Sequence, residues 1–356
     1  MKLLYLFVFM LSFWAKAQAW DDISHAWITR LAIQYIDDPA LKDLMQRYQK
    51  QALAGSWYPD WEKFVRKQLP GMNHHKHIPF GKAYLAHLRE DDVKRQSNYS
   101  ELLAHCFGSL GHVMQDHWFD LILQQYLATK DKSINGDVEI GVMNIQRHHM
   151  GRRLHVDSYY PVEDLTRVYS SYEYFRDQNI SHQEFERNFK KGSRIEHFLM
   201  TGLRLTSFFF SRSMERKMSW AAANMMDAPG GLISTAKATA KYWEVLYASV
   251  TGQSMSLAVH AEFDPIIGGV NLITHPELGQ DSFDQASPYF VGEDGKHIPA
   301  QYKNGRYPSA IVRQYVPSES LQPGYQYCFV LPSRLELMNV NSQYDLRLDF
   351  VYQLFD

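Results

Sequence analysis

Residues 97–127 read SNYSELLAHCFGSLGHVMQDHWFDLILQQYL. Leu103, Phe107, Leu110 and Met114 recur at i, i+4, i+7 and i+11, the spacing of an apolar stripe on a helix, so the stretch predicts one long helix. His112 and Asp116 stand at i, i+4 and therefore share one face of it. His105 lies seven residues earlier on that stripe, and Gly108 and Gly111 leave room for another backbone to approach closely. An imidazole and a carboxylate so placed can hold metal. The same spacing also describes a surface ion pair or a satisfied core histidine.

Working outward, Ser24 is placed to cap a helix through Ala26 to Ile33, with Trp27, Ile28 and Leu31 at helical spacing. Pro39, the 55–60 stretch and Pro70-Gly71 punctuate loops. Further helices are expected over 162–177, 182–219 and 231–250. After Gly252 the period changes to two. Residues 310–316, 325–331 and 344–352 alternate apolar with polar and are separated by Pro-, Gly- and Asn-rich turns, which predicts strands. The expected fold class is mainly α: a helical bundle over 20–252, followed by a small all-β sandwich over 253–356.

Composition narrows the chemistry. The chain has 356 residues, 45% of them hydrophobic and 14% aromatic, which is a globular rather than a disordered composition. With 37 basic against 39 acidic residues, no overall charge favours wrapping nucleic acid. Sixteen histidines against two cysteines exclude a disulfide framework and thiolate zinc fingers, and leave imidazole and carboxylate metal sites open. Cys106 and Cys328 read as two buried thiols. No nucleophile elbow, P-loop or dinucleotide fingerprint is present.

The amino-terminal segment reads as an export signal. Lys2 precedes the apolar run Leu3 to Trp14, which is followed by Ala17-Gln18-Ala19, the pattern of a secretory peptide cleaved after Ala19. The run is too short to cross a bilayer. Cleavage makes Trp20 the mature terminus, predicts a secreted or periplasmic protein, and, with Lys2 and Lys16 removed, takes the net charge from −2 to −4.

Downstream of Trp20, metal-ligand residue types recur in order. His25 stands five residues on, Asp60 sits in the stretch Gly55-Ser-Trp-Tyr-Pro-Asp-Trp61, the cluster Asn73-His74-His75-Lys76-His77 follows, and His112 and Asp116 come last. Taken singly these are an ordinary cap, turn and solvated loop. In this order they resemble the zinc-dependent phospholipases C, including the clostridial alpha-toxin type, and the related single-strand-specific zinc nucleases. The resemblance covers about 230 residues, from Trp20 and the helix at His25 through Tyr58-Pro59-Asp60 to a late helix ending near Trp243.

The resemblance implies two zinc ions. One would take Asp60, His74 or His77, His112 and Asp116; the other would take the amine and carbonyl of Trp20, His25 and Asp116, which bridges. His75 is the third histidine of that cluster, and spacing favours His74 whereas the following Ile78 favours His77. The family's third metal finds no ligands here: Ile122, Asp137 and Gly141 stand where two histidines and an acid would be. His148, His149 and His155 offer no clean replacement, and His182 with Glu186 reads as solvated helix face. The implied activity is phospholipid hydrolysis to diacylglycerol and a phosphorylated head group by a water activated on the metals. Asp60 would orient or deprotonate that water, and Trp57, Tyr58 and Trp61 would line a head-group pocket suited to a quaternary ammonium. The expected partner is a phospholipid or membrane surface rather than nucleic acid. A zinc nuclease or other phosphodiesterase, and a non-catalytic lipid- or surface-binding relative, are the alternatives. Asp264, Asp281, Asp284 and Glu293 are available for calcium in the β region, though scattered surface carboxylates explain them as well.

Overall fold

The computed structural model describes residues 22–57, 59, 77–131, 156, 159–171, 181, 183–195, 215–252, 258–274, 287–303, 312–332 and 346–352. Its helices are α1 (Asp22–Tyr35), α2 (Pro39–Arg47), α3 (Gln49–Trp57), α4 (His77–Leu88), α5 (Asp91–Lys94), α6 (Tyr99–Trp118), α7 (Gln124–Lys130), α8 (Val162–Ser171), α9 (183–195), α10 (Ser219–Asn224) and α11 (Leu232–Thr251). The strands are β1 (Ala258–Asp264), β2 (Gly269–Thr274), β3 (Tyr289–Gly292), β4 (His297–Lys303), β5 (Val312–Pro317), β6 (Gln326–Leu331) and β7 (Leu346–Val351).

α6 is the central helix, buried from Leu102 to Gln115. α3 crosses it where two glycines remove the obstacle of a side chain. A Cβ on Gly55 would lie 2.1 Å from the His105 carbonyl oxygen, and one on Gly108 would lie 2.1 Å from that of Ala52. Gly111 is used differently from expectation, because a side chain rather than a backbone approaches it. The indole of Trp243 on α11 lies over Gly111 and donates to the Phe107 carbonyl at 2.6 Å. α1 packs against α3 and α11 through Ala26, Ile28, Ala32 and Ile33, all buried.

Several helix boundaries differ from the sequence reading. α1 starts at Asp22, so buried Ser24 lies inside its first turn rather than capping it. Pro39 opens α2 with Asp38 as its cap, accepting from Leu41 N at 2.8 Å, which is a favoured use of proline at the first helical position. Gly55, Ser56 and Trp57 form the last turn of α3 instead of a loop. The expected helix over 182–219 does not continue to its end, because a bend at Met218 precedes α10. Beyond Trp118, α6 widens into a π turn over Phe119–Leu123 before α7. The Leu121 carbonyl there accepts from Gln125 Nε2 at 2.5 Å and from Gln314 Nε2 of β5 at 3.3 Å.

The β region corrects the expected fold class. Its seven strands form one antiparallel sheet in the order β1-β2-β5-β4-β3-β6-β7, not the two facing sheets of a sandwich. β4 makes the corner, pairing with β3 through 297–299 and with β5 through 300–303. The sheet then curls until its two ends meet, with Phe263 of β1 stacked on Phe350 of β7 at 4.0 Å. Alternate residues from every strand, among them Phe263, Leu272, Phe290, Ile298, Tyr315, Phe329 and Phe350, therefore fill a single barrel-like interior. Nor is it a separate appendage to a helical bundle. Ile273 and Val312 on its outer face belong to the helical core, and Ser234 of α11 donates to Glu262 of β1 at 2.5 Å. The architecture is mixed α and β, a helical part with a nearly closed seven-stranded sheet docked on it. Period two established the strands, but it is equally satisfied by a sandwich and a curled sheet.

Cys106 is buried and Cys328 is half-buried, and both are free thiols. Asp264 is neither a surface carboxylate nor poised for calcium. It is fully buried and accepts from Ile266 N at 3.0 Å and Asn271 Nδ2 at 3.2 Å. Glu293 is exposed, whereas Asp281 and Asp284 lie outside the described residues. No helix among the described residues is long and apolar enough to cross a membrane.

The glycine crossing makes a direct prediction. Gly108→Ala forces a methyl against the Ala52 carbonyl and should lower unfolding free energy by about 1–3 kcal/mol, as overpacking does, read from urea melts. An unchanged midpoint would show that α3 and α6 do not meet at this distance.

Candidate metal centre

Three side chains from two helices converge beside the crossing. His25 of α1, His112 and Asp116 of α6 each offer a ligand atom, and those atoms lie within 4.8 Å of one another. His25 Nε2 lies 2.9 Å from Asp116 Oδ1, and His112 Nε2 lies 3.4 Å from Asp116 Oδ2. The two imidazoles stack at 3.7 Å with an interplanar angle of 23° and are completely buried. The Asp116 side chain keeps 13% exposure, so the group is reached from its carboxylate end.

The far nitrogen of each ring decides the chemistry. His112 Nδ1 lies 2.7 Å from the Ser56 carbonyl oxygen, which can only accept, so Nδ1 carries the proton. His25 Nδ1 lies 2.8 Å from Gln115 Oε1, and Gln115 Nε2 lies 3.2 Å from the Thr29 hydroxyl; with the amide in this orientation Nδ1 of His25 is the donor. In the neutral rings both Nε2 atoms therefore hold lone pairs, and both aim them at a carboxylate. Lone pairs facing lone pairs require a positive charge between them. Protons on the rings supply one such charge, since the attraction of each imidazolium to Asp116 offsets the about 4–5 kcal/mol by which two imidazoliums 3.7 Å apart repel at an effective dielectric near 20. Metal held by these imidazole nitrogens and the carboxylate supplies it as well, with no ring proton needed. Imidazole and carboxylate donors suit zinc, and tetrahedral zinc with bonds near 2.0–2.1 Å separates its ligand atoms by roughly 3.3 Å. Histidine ligands ordinarily donate their other N–H to a carbonyl or carboxylate in this manner. The residues present can hold a metal ion.

Burial pushes the Asp116 carboxyl up, but His112 and His25 beside it act the other way, and the balance leaves it well below the usual carboxylate range. His105, on the same stripe of α6, takes no part in the cluster. It is buried against α4 and Tyr159, with Tyr84 Oη 3.2 Å from its Nδ1, and burial lowers its pKa from 6.5 to about 3.

Of the sequence-derived site residues, the fold brings His25, His112 and Asp116 together. Trp57 ends α3 half-buried, packed with Ala26 and Leu53 next to His25. Trp20, Tyr58, Asp60, Trp61, His74 and His75 lie outside the described residues, as do His148, His149, His155 and His182. His77 is the first residue of α4 rather than part of a loop, and its side chain lies outside the described set. Ile122 is completely buried in the π turn, where it cannot act as a ligand. Sequence reading missed Gln115, Thr29 and the Ser56 carbonyl. Thr29 shares a face with His25 at i+4, and Gln115 shares one with His112 at i+3, so spacing alone held that signal.

Gln115→Leu removes the acceptor that fixes the His25 ring and should weaken zinc affinity about 10- to 100-fold, as losses of outer hydrogen-bond partners do, with the melt otherwise retained. Unaltered affinity would mean that His25 Nε2 does not ligate. His105 gives an independent pH prediction. Between pH 6.5 and about 3 the unfolded chain binds a proton there that the folded chain does not, so stability falls as pH drops through that window. His105→Phe should flatten the stability–pH slope by about one proton there; a slope equal to that of the unaltered protein would place His105 in contact with water.

A scan of protein-family models finds none that matches this chain, and comparisons with the curated proteins and with the solved structures find no match either.

Proposed function

We propose that this chain is an exported, zinc-dependent phosphodiester hydrolase of the phospholipase C kind, cleaving phospholipid to diacylglycerol and a phosphorylated head group. The observation that carries the reading is the His25–His112–Asp116 cluster with both Nδ1 atoms tied back and both Nε2 atoms aimed at the carboxylate. The order of Trp20, Asp60, His74 or His77, and the signal-like segment ending at Ala19, supports the rest.

The two Asp116 oxygens face different imidazoles, Oδ1 toward His25 and Oδ2 toward His112, which supports a carboxylate shared between two ions. The proposed sets are His25, Asp116 and the Trp20 amine and carbonyl for one zinc, and His112, Asp116, Asp60 and His74 or His77 for the other. Trp20 precedes α1 by two residues, and Asp60 follows Ser56, whose carbonyl already touches His112, by four. When bound, zinc supplies Lewis acidity that polarises a phosphoryl oxygen and makes water acidic enough to attack near neutral pH. His25 and His112 hold their rings rigid through Gln115 and Ser56, so the site needs little rearrangement as charge develops. Asp60 would orient the attacking water and accept its proton. Trp57, Tyr58 and Trp61 would face the departing head group.

Metal analysis and product analysis together test the reading. The purified mature chain should retain about two zinc ions and release diacylglycerol from phosphatidylcholine, and His112→Ala should abolish both. Retention of no metal would sink the reading in favour of a non-catalytic binding protein, and cleavage of single-stranded DNA but not of lipid would move it to the nucleases. One extra residue before Trp20 converts its amine to an amide. That change should lower zinc content and activity together, whereas unchanged zinc would remove Trp20 from the ligand set.

A further inference from the structure

α9 carries a face that nothing in the proposed reaction uses. Phe185, Asn188, Phe189 and Ser193 are buried at i, i+3, i+4 and i+8. The opposite face exposes Arg187, Lys190, Lys191 and Arg194, four cations in about two turns, with Glu186 pairing Lys190 at its margin. They line an open groove that runs along the helix. The concentration is out of character for a chain of net charge −2.

The face is rigidly mounted. Phe189 packs edge-on against Tyr160 at 4.7 Å, and Phe185 meets Tyr169 of α8 at 4.8 Å. Tyr169 meets Phe80 of α4 at 4.8 Å, and Tyr84 on the same helix reaches His105 of α6. An unbroken line of aromatic contacts thus joins the basic face to the helix that carries His112 and Asp116.

We propose that the exposed face of α9 docks the protein on an anionic phospholipid surface. From Arg187 to Arg194 the row spans roughly 10 Å of helix and is open to solvent along its length, which suits a field of phosphate head groups better than one enclosed ion. Juxtaposed Lys and Arg residues are attracted additively to anionic lipid. The acidic balance of the remaining surface is repelled by the same bilayer, so this face turns toward it. The choice of lipid over another polyanion rests on the phospholipase reading, but the binding itself does not require the metal.

The test uses the full mature chain in chelator, sedimented with phosphatidylcholine vesicles or with vesicles that also contain phosphatidylglycerol. The anionic vesicles should bind the protein more tightly, and the preference should fade at high salt. The quadruple variant Arg187→Gln, Lys190→Gln, Lys191→Gln, Arg194→Gln should lose at least about tenfold in partitioning, while Lys190→Arg with Lys191→Arg should keep it. Hydrolysis of a monomeric soluble phosphodiester by the zinc-loaded quadruple variant should match the unaltered protein, which also shows that it folds. Equal partitioning of the quadruple variant, or no preference for anionic vesicles, overturns the proposal. Release of bound protein by inorganic phosphate at equal ionic strength would make soluble phosphate the ligand. Tighter binding to single-stranded DNA than to vesicles would make it nucleic acid. Each of these overturns the lipid assignment whether or not the metal centre hydrolyses phospholipid.

Discussion

The crossing of α3 over α6 at Gly55 and Gly108 is the constraint from which the rest follows. Backbone meets backbone there, each glycine lying where a methyl would overlap a carbonyl of the other helix. Only at that separation does the Ser56 carbonyl reach His112 Nδ1. Ser109 reinforces the contact by donating to the Gly55 carbonyl at 3.2 Å. The last turn of α3 thereby selects the tautomer of His112, and α1, packed against the same helix, brings His25 onto the neighbouring position. A packing event between small residues thus becomes an electrostatic fact about two imidazoles.

What those imidazoles face is a single carboxylate. Burial pushes the Asp116 carboxyl up, and the two rings, when they carry protons, face it as cations and donors and hold it well below the ordinary carboxylate range. A stacked pair of neutral histidines presenting two lone pairs to an anion is unstable in isolation and well matched to a cation. The curled sheet contributes at one remove. Gln314 donates to Leu121 in the π turn that follows Asp116 by a few residues, and also to Asn271, whose amide in turn reaches buried Asp264. This buried polar chain ties the ligand helix to the strands, so the two parts of the molecule share one scaffold.

The sequence showed the elements more clearly than their arrangement. The heptad-like recurrence of Leu103, Phe107, Leu110 and Met114 identified α6, and i, i+4 spacing put His112 and Asp116 on one face, because helical period is a local property. Gly108 was legible as a point of close approach, since a missing side chain has few other uses in a helix. Its partner Gly55 reads as a loop residue, because Gly followed by Ser, Trp, Tyr and Pro is punctuation when the pressure of α6 on that turn is unseen. The strands over 312–317, 326–331 and 346–351 were legible from alternation, whereas their closure into one curled sheet was not. Closure is decided by which distant strands pair, and by Phe263 meeting Phe350, neither of which period two encodes. Gln115 escaped notice because an amide becomes meaningful only once the ring that it holds is known.

The account stands most directly on which nitrogen of each ring binds metal. A crystal structure of the mature protein grown with zinc, with anomalous data at the zinc edge, would decide it. The account requires an anomalous peak bonded to His25 Nε2, His112 Nε2 or both, and to Asp116, with the two Nδ1 atoms still on Gln115 and Ser56. Bonding through Nδ1, or a carboxylate hydrogen-bonded directly to protonated Nε2 atoms in the presence of excess zinc, would contradict it.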